Sequence, residues 1–291
     1  MRALVAPRPG VPLQAAVDRA HGHGLFLPSL TGDAVTASST PWAATAVTGG
    51  TAHTKGSWVE VTNATTSPLN SLTVMLTAIN YANGVDTSTL LDIGIGGAGS
   101  EVVVVPNVGV GWANQYQSWT LPVSIPQGTR IAVRAQSTRT SQNISVWVIP
   151  TRNLNTRYRS PSALVDVCAN TATSYGVALS VPGAVHTKGS WTQLTASCAQ
   201  ALQAIVICPQ GAADTNQGGG TGLIDVAVGA SGSEVTVVSN WPVAFTTAEL
   251  LNAPAPNLWP VNVPAGARIA ARYQTGNTGA SVDLQLIGVP A

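Results

Sequence analysis

Charge is what this sequence has least of. Only 9% of its 291 residues are Asp, Glu, Lys or Arg, against about 25% in an average soluble domain. The formal net charge is +1, so the chain carries no basic excess of the kind that neutralises a phosphate backbone, and nucleic acid is excluded as a partner. So few charges solvate a large surface poorly, which favours a chain whose faces are partly covered by other copies or partners. Lysine is rarest of all: Lys55 and Lys188 are the only two, beside eleven arginines. The three cysteines, Cys168, Cys198 and Cys208, all lie in the second half. An odd number without counterparts in the first half is not a disulfide framework. Buried free thiols are the expectation, although Cys198 and Cys208 are spaced to meet across a hairpin. No apolar run approaches the roughly 20 residues of a membrane span. The opening MRALVAPRPGVPLQ has prolines where a signal peptide needs an apolar helix. The chain is therefore expected to be made in the cytoplasm without a signal peptide and not exported by the usual route, with no membrane span.

What is present is a duplication. HTKGSW occurs at residues 53–58 and again at 186–191. At the same offset of 133 positions TLLDIGIGGAGSEVVVV (89–105) falls on GLIDVAVGASGSEVTVV (222–238), pairing Asp92 with Asp225 and Glu101 with Glu234. With five more residues inserted, LPVSIPQGTRIAVRAQ (121–136) falls on WPVNVPAGARIAARYQ (259–274). Upstream the slide pairs Asp33 with Asp166 and Trp42 with Tyr175. One unit of about 120–130 residues is present twice. It occupies residues 29–150 and 162–291, joined by an Arg-rich linker over 151–161 and preceded by an arm over 1–28.

Each unit reads as all-β. SWVEV, LTVMLTAI, LLDIGIG, EVVVV, WTLPVSI, TRIAVRAQ and ISVWVI are short β-branched runs punctuated by Gly, Pro, Asn and Ser. With the segment around 42–47 they make about eight strands, enough for a jelly roll. The expected fold is two tandem jelly-roll-like β-sandwich domains preceded by an extended N-terminal arm. That arm carries Pro7, Pro9, Pro12 and Pro28 and has no core of its own. It is read as an attachment arm whose apolar residues need contacts from a neighbouring chain.

Candidate chemistry is sparse. A His-Lys-Ser set within HTKGSW suggests base, electrophile and nucleophile, but no orienting carboxylate or oxyanion hole is specified nearby. The favoured reading is a Gly-containing turn that launches a strand. In it His53, Lys55, His186 and Lys188 are structural, and Trp58 and Trp191 are packing anchors. Gly94-x-Gly96-x-x-Gly99 matches a dinucleotide fingerprint, yet a strand follows it where the chemistry requires a helix. It is read as a hairpin turn. Alternation puts Leu91, Ile93 and Ile95 on the core side and Asp92 away from it. It likewise leaves Arg130 and Arg134 on the far face from Ile131 and Val133. Asp92 is expected to pair with Arg134 or Arg130, and Asp225 with Arg272 or Arg268. His21 and His23 do not make a metal site without further ligands. No catalytic, cofactor-binding or metal residues are assigned.

The tandem HTKGSW, the I/L-D-I/V-x-I/V-G-x-x-G-S-E segment and V-x-I/V-P-x-G-x-R-I-A-x-R resemble a unit found in virion structural proteins of tailed bacteriophages and phage-like particles of GC-rich bacteria. The resemblance covers residues 50–150 and 185–290 but not the arm, and it transfers no catalytic residue. It implies a non-enzymatic structural component of a virion, such as a head decoration, head-fibre or spike-base protein docking through its N-terminal arm. The implied partners are capsid or tail subunits and copies of the chain itself. The alternative is a tail or adhesin component that binds a host-surface carbohydrate. That reading would expose aromatics in one groove, with Trp112, Trp119, Trp241 and Trp259 as candidates because they lie in loop-rich segments.

Overall fold

The computed structural model describes residues 44–79, 88–110, 117–151, 159–179, 183–210, 220–245, 250–251, 258–276 and 282–291. The arm over 1–28 lies outside them, as do Asp33, Trp42, Trp112, His21 and His23. The described regular structure is all strand.

In the first half the strands are β1 (Thr45–Thr48), β2 (Val59–Thr62), β3 (Ser71–Ile79) and β4 (Thr89–Ile95), followed by β5 (Val102–Val110), β6 (Gln117–Leu121), β7 (Ile131–Ser137) and β8 (Asn143–Thr151). They form two antiparallel sheets in the orders β1-β8-β3-β6 and β2-β7-β4-β5, the strand order of a jelly roll. The runs are rich in β-branched residues and bounded by turn residues, so they favour the pleated conformation and turn alternate positions to the core between the sheets. Val74, Leu121 and Val146 of one sheet meet Leu91, Ile93 and Val133 of the other in a single core.

The second half has β9 (Val165–Asp166), β10 (Val177–Ala178), β11 (Thr192–Thr195), β12 (Leu202–Gln210) and β13 (Gly220–Val228). These continue into β14 (Val235–Phe245), β15 (Leu250–Leu251), β16 (Leu258–Val263), β17 (Ile269–Thr275) and β18 (Asp283–Pro290). The orders are β10-β18-β12-β16 and β11-β17-β13-β14, the same permutation as in the first half. β9 is added beside β18, and β15 pairs with Ala244 and Phe245 of β14. The protein is thus a pair of tandem β-sandwiches.

The two sandwiches belong to one compact unit, Ala34–Ala291. Ala204, Val206 and Cys208 of β12 and Ile287 and Val289 of β18 belong to the first half's core cluster rather than to the second's. Leu164, just beyond the linker, joins the same cluster, and its N–H donates to the carbonyl of Val104 at 2.8 Å. Both ends of this joint are also pinned by polar contacts. Asn107 Nδ2 donates to Asp166 Oδ2 at 2.7 Å, and Gln136 Nε2 donates to the carbonyl of Thr171 at 2.6 Å.

Candidate functional site

The repeated hexapeptide is a turn laid on the penultimate strand of its own sandwich. His53 adopts φ 61°, and its N–H donates to the carbonyl of Ser137, while that of Gly56 donates to the carbonyl of Ala135. His186 (φ 58°) and Gly189 bond in the same way to Thr275 and Tyr273. Gly56 is required by space: a Cβ there would sit 2.2 Å from the carbonyl oxygen of Thr48. The His53 ring reaches across the joint, its Nδ1 lying 3.2 Å from Ser174 Oγ.

This turn aims the lysine over the outer face of the sheet, where it meets the expected carboxylate. Asp92 lies directly opposite Arg134 in the ladder. Arg134 Nε donates to Asp92 Oδ2 at 2.9 Å, and Lys55 Nζ donates to Asp92 Oδ1 at 2.8 Å and to the carbonyl of Leu90. A bulge in the β4–β5 ladder, with Asn107 at φ 49°, turns the Asn107 N–H onto Asp92 Oδ1 at 2.9 Å. Above the carboxylate the Arg134 guanidinium stacks on the Trp58 ring at 4.5 Å from its centroid, a cation–π contact. The ring in turn lies over Gly94.

The second copy repeats this atom for atom. Lys188 Nζ, the Asn240 N–H and Arg272 Nε donate to Asp225 at 2.8, 2.8 and 2.9 Å, and Arg272 stacks on Trp191 at 4.4 Å. Burial pushes the Asp225 carboxyl up, but the bonds from Lys188, the Asn240 N–H and Arg272 outweigh it and hold the group below its ordinary value. Burial pushes the Lys55 ammonium down, against the pull of Asp92.

A second ionic group flanks each cluster. Arg130 does not pair with Asp92; it donates to Glu60 and Glu101, both at 2.8 Å. Arg268 likewise turns away from Asp225 to Glu234 at 2.9 Å and Gln193 Oε1 at 3.1 Å. The reason is register: Arg134 and Arg272 are the cross-strand neighbours of the aspartates, while Arg130 and Arg268 precede β7 and β17 beside the β4–β5 and β13–β14 hairpins. The glycine-rich segment is one of these hairpins, with Gly96 and Gly99 at φ 117° and 82° and Gly229 and Gly232 at φ 130° and 82°. Burial raises Glu101, but its own N–H, Arg130 and the Gly99 N–H together hold it below its ordinary value. Glu234 is lowered by its own N–H, against burial, and further by Arg268 and the Gly232 N–H.

The aromatic candidates need correction. Trp119 and Trp241 are 3% and 1% exposed and stand in the two cores. Each falls on an inward strand position, Trp119 between the outward Ser118 and Thr120, so neither can line an open groove. Trp259 is half-buried against the second core with its indole N–H unbonded. The cysteines are free thiols. Burial raises Cys168 to about 12 and pushes Cys208 higher still. Among the described residues no group of three or more His, Cys, Asp or Glu is arranged to hold a metal ion, and no helix is long and apolar enough to cross a membrane.

Sequence reasoning missed the part played by Lys55 and Lys188. The available signal was that the chain's only two lysines stand at equivalent places in a sequence that otherwise uses arginine.

No family model matches the chain, and no curated protein matches it. Among solved structures, the N-terminal CBM22-1–CBM22-2 tandem domain of Paenibacillus barcinonensis Xyn10C covers 84% of this chain and 86% of its own, at 11% identity and a TM-score of 0.25. At that score the likeness carries no functional inference.

Proposed function

We propose that this protein is a non-enzymatic structural subunit of a bacteriophage or phage-like particle. In this reading it is a head decoration, head-fibre or spike-base component that attaches through residues 1–28. The observation that supports this most is the fate of the ionisable residues both copies share. Lys55, Asp92 and Arg134, with Lys188, Asp225 and Arg272, are bound to one another in twin clusters beneath stacked tryptophans. A carboxylate that accepts from a lysine, an arginine and a backbone N–H and is buried beneath them holds a sheet together and is not open to a substrate. The low charge and the apolar core shared between the sandwiches suit a building block that works covered by neighbours. The carbohydrate-binding alternative needs a groove of exposed aromatics, and two of its four candidates are core residues.

Particles released by cells that carry this sequence provide the test. In gradient-banded particles, quantitative mass spectrometry should find the chain in a fixed ratio to the major shell protein. A chain lacking residues 1–28 should keep its β-content and cooperative melting yet fail to copurify. Absence of the full chain from banded particles, together with specific binding to a glycan array, would overturn this reading in favour of the adhesin.

A further inference from the structure

The joint between the two sandwiches has an unused counterpart at each end of the pair. On one side of the joint is the edge formed by β5. Its Val104 and Gly109 are buried and its Pro106 and Asn107 half-buried, because β12, β18 and β9 lie over them. The duplication places Val237, Ser239, Asn240 and Pro242 of β14 at the same four positions. Val237 is half-buried and the other three are exposed. Among the described residues β15 pairs only with Ala244 and Phe245, which leaves this stretch of β14 open.

On the other side of the joint is the outer face of β12 and β18, where Val206, Cys208 and Ile287 are fully buried against the first sandwich. Their counterparts in the first sandwich are Thr73, Met75 and Ile149, half-buried rather than fully buried, with Trp147 beside them. Met75 lies opposite Trp147 and Thr73 opposite Ile149 in the β3–β8 ladder, so the four form one continuous patch.

We propose that chains associate head to tail by using this joint a second time: the β14 edge of one copy docks on the outer face of β3 and β8 of the next. The occupant is a second copy of this chain because the two open faces stand at positions equivalent to surfaces that fit one another within it: Val237, Asn240 and Ile149 keep the joint's residues, while Ser239, Pro242, Thr73 and Met75 replace Pro106, Gly109, Val206 and Cys208. Among the described residues neither open face carries a charge, so these residues add no like-charge repulsion and little ionic desolvation on approach. The polar donor of the joint has its counterpart too: Asn107 donates to Asp166 inside the chain, and Asn240 repeats Asn107. Such contacts join unlike faces and so propagate into a ring or a filament. The inference stands on the duplicated joint and does not depend on the particle reading.

Sedimentation velocity on the full chain and two single variants tests it. Ile149→Glu blocks one face and Pro242→Glu the other; Ile149 is half-buried and Pro242 exposed, and melting temperature checks the fold. The wild type should form species larger than one chain. Each variant alone should lose all of them. An equimolar mixture should form two-chain species and nothing larger, since the mixture has one intact face of each kind. If a variant fails to fold, Met75→Lys and Asn240→Asp address the same faces. A wild type that stays monomeric at the highest attainable concentration overturns the proposal. So do assemblies that survive both substitutions, and a mixture of well-folded variants that stays monomeric.

Discussion

Asp92 and Asp225 show how a single carboxylate can serve a whole sheet face. Their side chains are 5% and 4% exposed, and each holds two cations and a backbone N–H. Removing the carboxylate strands a lysine and an arginine together, so Asp92→Asn or Asp225→Asn should each destabilise by about 3–5 kcal/mol in urea unfolding. Lys55→Met, which leaves Arg134 in place, should cost less. Acid should have a related effect. Asp225, Glu101 and Glu234 are held below their ordinary values, so the unfolded state binds protons first as pH falls. Their contribution is complete above the unfolded values of about 3.9 for Asp and 4.3 for Glu and is lost as pH falls through the lower folded ones. Asp225→Asn should flatten the fall of stability in acid, followed by circular dichroism. Alternation along β4 and β7 made the Asp92–Arg134 encounter legible in the sequence. The lysine was not legible, because a turn with a left-handed histidine sends its side chains in directions that no periodicity encodes.

At the level of elements the two copies act as each other's controls. A Cβ at Gly94 would lie 2.7 Å from the Trp58 ring, yet the second copy carries Ala227 there and still stacks Arg272 on Trp191. Gly94→Ala should therefore cost less than about 1 kcal/mol, the ring shifting by a fraction of an ångström. At Gly56 the obstacle is backbone, the carbonyl of Thr48. Gly56→Ala must displace the turn and should cost several times more, as thermal unfolding of the two variants would show. If Gly94→Ala is the costlier, the packing account of the hexapeptide fails. The eight strands of the first half were legible because each is a β-branched run between turn residues. The two-residue strands β9, β10 and β15 were not, since two residues carry no period.

The whole molecule is more than its two readable units. β12 reads AIVIC where β3 reads SLTVM, and an apolar run on both faces marks a strand covered on both sides. That contrast between copies was the one sign in the sequence of a shared core. The consequence is cooperativity. Cys208 stands in the core cluster that spans both sandwiches and Cys198 in the second. Thiol alkylation read by mass spectrometry along a urea gradient should expose both at one midpoint, coincident with loss of β-structure. Earlier exposure of Cys208 would mean that the sandwiches part before they unfold. The central claim, a joint made once within the chain and again between chains, is tested most directly by a reconstruction of the self-associated full-length protein. It should show successive sandwiches related by one repeated operation, so that successive copies are related by twice the operation that superposes the first sandwich on the second, with Asn240 and Pro242 of one copy against Met75 and Ile149 of the next. Copies related by a two-fold axis through identical faces would contradict it.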